Sequence, residues 1–165
     1  MKYQTLFTMG IAAVSLAGCS NSTTNMNPGT MPPLGIHGTV LTNDWDKLNT
    51  LVGYYIQDAD IPSNRDSIGI SFTADEQSRI ERVADAVGFW AIPADVPVVQ
   101  GLFVEPNPGT TTIRIKNDAK DWSISWNGVP QSGFTDQIAT LRDTIYSILH
   151  ARPEVQGMPP PVLRD

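Results

Sequence analysis

The chain has 165 residues, a formal net charge of −6 and a sequence pI near 4.7. Its Lys and Arg number 11 against 17 Asp and Glu, with no basic run, which excludes a nucleic-acid surface and direct adhesion to anionic lipid; both need clustered positive charge. The length suits one domain, and a single cysteine excludes an internal disulfide.

The N-terminus carries the most specific motif. Lys2 gives a short positive start, Leu6 to Leu16 form an apolar stretch, and Leu16-Ala17-Gly18-Cys19 places small residues directly before the cysteine. The stretch is too short for a membrane-spanning helix, which needs about 20 apolar residues. This pattern resembles the lipobox of a bacterial lipoprotein precursor. The resemblance implies removal of residues 1–18 and a covalent lipid on Cys19, with no other cofactor. The bland alternative is an ordinary secretory peptide cut elsewhere, with Cys19 incidental. Ser20, rather than an aspartate, follows the cysteine, which resembles the outer-membrane sorting pattern of Gram-negative lipoproteins. The expected location is a bacterial membrane: the outer membrane facing the periplasm in a Gram-negative cell, the cell surface otherwise. Residues 19–33 are polar and rich in turn formers and read as a flexible tether with a reach of about 20 Å.

A single α+β domain is expected over 34–153. Asn43 or Asp44 can cap a short helix in which Trp45, Leu48 and Val52 recur at helical spacing, with Gly53 ending it. Tyr54 to Gln57 reads as extended, and 58–66 as a loop rich in turn-favouring residues. Asp58, Asp60, Asn64 and Asp66 suggest a calcium loop, but they lack the alternation, central glycine and distal glutamate that such a loop requires, so no metal is assigned. Ile68, Ile70 and Phe72 alternate as in a half-buried strand over 68–72. Thr73-Ala74-Asp75-Glu76 is a capping box, so a helix should run over 74–88 with Ile80, Val83, Ala84 and Val87 as its apolar stripe and Gly88 closing it.

Phe89 and Trp90 follow at once, either plugging the core from its edge or forming an exposed aromatic contact site. Residues 94–109 mix Val96, Val98, Val99, Leu102 and Phe103 with prolines and glycines. Such a loop either closes the core as an irregular lid or projects as a binding element. Phe89, Trp90, Leu102 and Phe103 are therefore the candidate partner-binding residues. The segments 111–116 and 121–126 alternate around Asn117 to Lys120 and read as a β-hairpin, with Ile113, Ile115, Trp122, Ile124 and Trp126 on the core face. Asn127-Gly128 is a second turn, and Thr135 or a neighbour starts a helix over 135–151 with the stripe Ile138, Leu141, Ile145, Ile148 and Leu149. Pro153 should end it. The Pro-rich tail 154–165 reads as a frayed terminus or a partner-docking peptide. The expected architecture is a small antiparallel sheet holding 68–72, 111–116 and 121–126, with the two helices on one face.

No catalytic constellation is visible. His37 and His150 lie far apart and neither accompanies a metal-ligand spacing or a nucleophile motif, so a structural role is expected for each. The stretch from Ile80 to Pro93, together with the hairpin and last helix, resembles the emfourin-type inhibitors of thermolysin-like metallopeptidases over 67–153. That resemblance implies a similar fold and an inhibitor role; no inhibitory residue is transferred, and the lipobox and the acidic 44–66 stretch depart from it. The expected function is a lipid-anchored envelope module that binds or inhibits an envelope or exported protein partner, a peptidase being one such partner. The alternative is a structural accessory lipoprotein of an envelope complex, and a hydrolase of polysaccharide or peptidoglycan has the least behind it.

Overall fold

A computed structural model describes residues 37–59, 66–102 and 109–160. Among them, strands β1 (Gly38–Thr42), β2 (Lys47–Asn49), β3 (Tyr54–Gln57) and β4 (Asp66–Gly69) form a meander, and helix α1 (Ala74–Ala86) and a 3-10 turn (Phe89–Ala91) follow. Strands β5 (Thr110–Lys116) and β6 (Asp121–Asn127) make the hairpin, and helices α2 (Ser132–His150) and α3 (Pro153–Gln156) end the described chain. The six strands form one antiparallel sheet in the order β4-β3-β2-β1-β5-β6. The α+β class stands as expected. No helix among the described residues is long and apolar enough to cross a membrane.

The first half differs from expectation. Residues 44–52 are not a helix: Asn43 Oδ1 accepts from the amides of Trp45 (2.8 Å) and Asp46 (2.7 Å), and Asn49 Oδ1 accepts from Leu51 and Val52. Each asparagine thus closes a turn with the same side-chain acceptor that would have capped a helix. Between these turns Leu48, 1 % exposed, enters the core opposite Leu41 and Tyr55. The expected strand 68–72 pairs only as far as Gly69; Ile70 leaves the ladder, donates to Gly53 O and is buried. β1 lies in the middle of the sheet, between β2 and β5, and was not anticipated.

The second half follows its local signals. The capping box is present in both directions, with Thr73 N donating to Glu76 (2.7 Å) and Glu76 N to Thr73 Oγ1 (3.2 Å), an arrangement with an N-cap side chain worth about 1 kcal/mol. Gly88 takes the left-handed conformation that ends α1, at φ 71°. Ile138, Leu141, Ile145, Ile148 and Leu149 form the buried face of α2, as their spacing requires, and pack with Ile80, Ala84, Ile113, Ile115 and Ile124. Truncating one such side chain costs about 2–5 kcal/mol. α2 begins three residues before Thr135, at Ser132.

Three further differences concern Trp122, Pro153 and the tail. Trp126 is in the core, but Trp122 is 37 % exposed: it shares the helix-facing side with Ile124 yet sits at the start of β6, beyond the reach of full cover, and donates through Nε1 to Ile92 O. Pro153 does not merely stop α2. It stands at the first position of α3, where its missing N–H is not needed. The start of the tail is packed rather than frayed: Val155 is buried, Met158 lies against the core, and Gln57 Nε2 donates to Pro159 O at 3.0 Å.

One polar network ties the sheet to α1. Thr39, fully buried on β1, donates to Gln77 Oε1 (3.0 Å), and Gln77 Nε2 donates to Glu81 Oε1 (3.0 Å). Glu81 also meets His37 Nδ1 at 3.0 Å, while His37 Nε2 meets Asp118 at 3.0 Å on the β5–β6 turn. An imidazole held between two carboxylates donates from both nitrogens only as the cation. Glu81 first, then Asp118, accordingly raise the His37 pKa.

Candidate functional site

The residues singled out from sequence separate in the structure. Cys19 and Phe103 lie outside the described residues. Phe89 is fully buried in the core and offers no contact surface; the core-plug reading holds for it. Trp90 meets it edge to face at 5.2 Å and is itself engaged: Nε1 donates to Asp85 at 2.6 Å, and Lys120 Nζ stands 4.6 Å from the ring centroid while pairing with Asp85 at 3.1 Å. The Trp90 and Lys120 contacts hold the Asp85 carboxyl below its ordinary pKa. Leu102 is 52 % exposed.

Residues 94–99 form a strap along β6. Ser125 N donates to Ala94 O (2.7 Å), Val96 N to Ser125 O (2.9 Å), Val99 N to Val129 O (2.8 Å) and Gln131 N to Pro97 O (2.9 Å). The two bonds to Ser125 occupy edge groups of β6 that would otherwise be open to another strand, and those to Val129 and Gln131 continue the cover past the strand's end. Val96 points inward and is buried, which is the lid half of the sequence reading. Beyond the strap the side chains turn outward. Val99 (40 %), Leu102 and Trp122 are the large hydrophobic residues exposed among those described, and all three border β6: Val99 and Leu102 at its Asn127–Gly128 end, Trp122 at its start. The five residue steps from Trp122 to Asn127 separate the two groups by about 17 Å. Where the loop rejoins the sheet, Gly109 (φ 69°) faces the Asp44 carboxylate so closely that any side chain at 109 would collide with it.

A second feature had no local signal in the sequence. The turn after β1, the end of β3, the end of α2 and the 155–160 segment surround a solvent-open groove of about 360 Å³ lined by Asp46, Tyr55, Gln57, His150, Met158 and Pro159, among others. Tyr55 donates to Asp46 Oδ1 at 3.3 Å and Tyr146 to Asp46 Oδ2 at 3.4 Å, and Tyr146 stacks on His150 with centroids 5.4 Å apart. Burial pushes the Asp46 carboxyl up, outweighing the two tyrosine hydrogen bonds that favour its charge. Burial first and the Asp46 charge second also raise both phenols, Tyr146 to about 12, so both stay neutral donors. The groove therefore offers acceptors and apolar wall, without a nucleophile placed beside a base. His150 projects at the rim from the last turn of α2.

Comparison with protein-family models, with curated proteins and with solved structures gives no match for this chain.

Proposed function

We propose that this chain is a lipid-anchored bacterial envelope protein whose domain binds a protein partner through the β6 margin. Lipid on Cys19 supplies the membrane attachment, since an acidic domain has no basic surface to hold a bilayer. Attachment that lasts takes two or more acyl chains, which the lipoprotein resemblance supplies. The observation that carries the binding reading is the concentration of Val99, Leu102 and Trp122 along one strand, two of them on the Pro- and Gly-rich segment. Isolated exposed hydrophobics are common; Val99 and Leu102 stand together at one end of β6, with Trp122 on the same strand, which supports a contact surface there. An exported thermolysin-like metallopeptidase is the sharper form of the partner, resting on the emfourin resemblance.

The test places a photocrosslinker at 102 in the native cell, with Ser147 on the exposed face of α2 as the control position. A partner should be captured from 102, not from 147, and be lost in the Val99→Asp/Leu102→Asp variant. Equal capture from both positions, or capture that survives the double variant, would refute the surface. Cys19→Ala should release the protein from the membrane, and unchanged membrane association would refute the anchor. Full activity of a thermolysin-like peptidase at saturating protein would remove the inhibitor form alone.

A further inference from the structure

The groove beside β3 bears on a different site from the β6 margin and stands independently of that reading. Its floor holds a largely desolvated carboxylate, Asp46, which accepts from two neutral phenols, Tyr55 at 3.3 Å and Tyr146 at 3.4 Å, long for O–H donors to a carboxylate. Asp46 forms no ion pair with any described residue. A carboxylate can accept about four hydrogen bonds, so acceptor capacity remains. Gln57 is nine-tenths buried on the same wall and spends its NH2 on Pro159 O, leaving its amide carbonyl for a second donor. Val155, Met158 and Pro159 make the remaining wall apolar. A guest matched to these groups carries positive charge and several N–H donors at one end and a short hydrocarbon at the other.

We propose that this groove binds a primary ammonium group on a short apolar stem, with Asp46 and Gln57 accepting its protons and Val155, Met158 and Pro159 covering the stem. A volume of about 360 Å³ suits a ligand of that size and falls at the small end of ligand pockets. Asp58, 6 % exposed, adds to the negative field at Asp46, and His150 on the lining opposes it. A bound ammonium stabilises the ionised form of Asp46, so binding and loss of the Asp46 proton are linked.

The full chain, 15N-labelled, is titrated with n-butylammonium chloride, 1-butanol and sodium butyrate at equal ionic strength. The ammonium should shift the Gln57 and Gln156 signals saturably, with butanol about tenfold weaker and butyrate silent. Asp46→Asn should weaken the ammonium about tenfold or more while leaving the butanol response unchanged. Equal binding of butanol and butylammonium, or no loss in Asp46→Asn, would overturn the proposal. Should that variant fail to fold, the pH dependence of butylammonium binding to the full chain carrying His150→Gln takes its place. Tyr55 and Tyr146 stay neutral, so affinity should rise with pH as the Asp46 carboxyl, whose pKa burial raises, ionises; pH-independent binding would overturn the assignment. A lysine side chain presented as N-acetyl-lysine N-methylamide separates the two sources of such a group. Tighter binding than butylammonium assigns the site to a protein partner's lysine, and equal or weaker binding assigns it to a free amine.

Discussion

The helix-covered face is completed along β6 and at the end of β3 by segments that are not strands, and they are held in opposite ways. Along β6 the strap is fixed by its backbone, through bonds between Ala94, Val96, Pro97 and Val99 and the chain from Ser125 to Gln131. Along β3 the C-terminal segment is fixed by side chains: Val155 and Met158 sink into the core and Gln57 holds Pro159. A cover secured by its backbone has side chains to spare, and Val99 and Leu102 face solvent. A cover secured by its side chains turns its apolar groups inward, toward the core and toward the groove wall that Val155, Met158 and Pro159 form opposite Asp46 and Gln57. The manner of attachment thus decides which cover has apolar side chains left for solvent.

The largest effect that tests this contrast concerns the aromatics at the two depths of the β6 margin. Phe89→Ala should cost about 3–5 kcal/mol in urea unfolding, because the ring is fully buried at the root of the strap. Trp122→Ala should cost less than half of that, since the indole is 37 % exposed. Equal costs would mean that Trp122 is a core residue after all and that the β6 margin is less open than described.

A smaller difference separates the covers themselves. Met158→Ala should destabilise by about 1–2 kcal/mol, whereas Val99→Ala should stay within about 0.5 kcal/mol. Thermal denaturation of the two variants side by side decides it. If Val99→Ala were the costlier, the strap would be held by its side chains and the distinction would fail.

The smallest effects are pH-dependent and of the same sign in two windows. The Asp46 pKa is raised in the folded protein, so its burden is absent below the unfolded value near 3.8 and grows as pH rises through the folded value. The His37 pKa is also raised, and the stability it contributes is fully present below the unfolded value of 6.5 and lost as pH rises through the folded value. Each group therefore contributes one downward step in stability as pH rises, the Asp46 step superimposed on the opposite change from Glu76, Asp85 and Asp121, whose pKa values are lowered. Asp46→Asn removes the acid step and leaves the other; His37→Gln does the reverse. A variant that flattens both steps would show that the two sites are coupled through the sheet.

What could be read from the chain depended on how local its cause was. The capping box at Thr73, the alternation from Thr110 to Asn127 and the stripe of α2 are each written within a dozen or so residues, and each folded as written. The first meander was misread because Asn43 and Asn49 accept backbone amides in turns as readily as at a helix start, and a strand of three residues leaves no period to count. Phe89 and Trp90, adjacent and chemically alike, diverged because the left-handed Gly88 turns one ring into the core and the other toward Asp85 and Lys120. The groove was not legible at all. Asp46, Tyr55 and Tyr146 span 100 residues of sequence and meet only once β1 to β3 and α2 are packed.

β1 is the first strand of the described chain and also an inner one, laddered to β2 on one side and to β5 on the other. His37, directly before it, is tied to α1 and to the hairpin turn. Tension arriving from the N-terminal side therefore enters a strand that cannot be unzipped from an edge, one bond after another. It must shear two ladders together and pull the His37 clasp away from both of its carboxylates. A domain suspended by that end would bear load as a unit, with β4 and the strap, the two outer margins, the last to feel it.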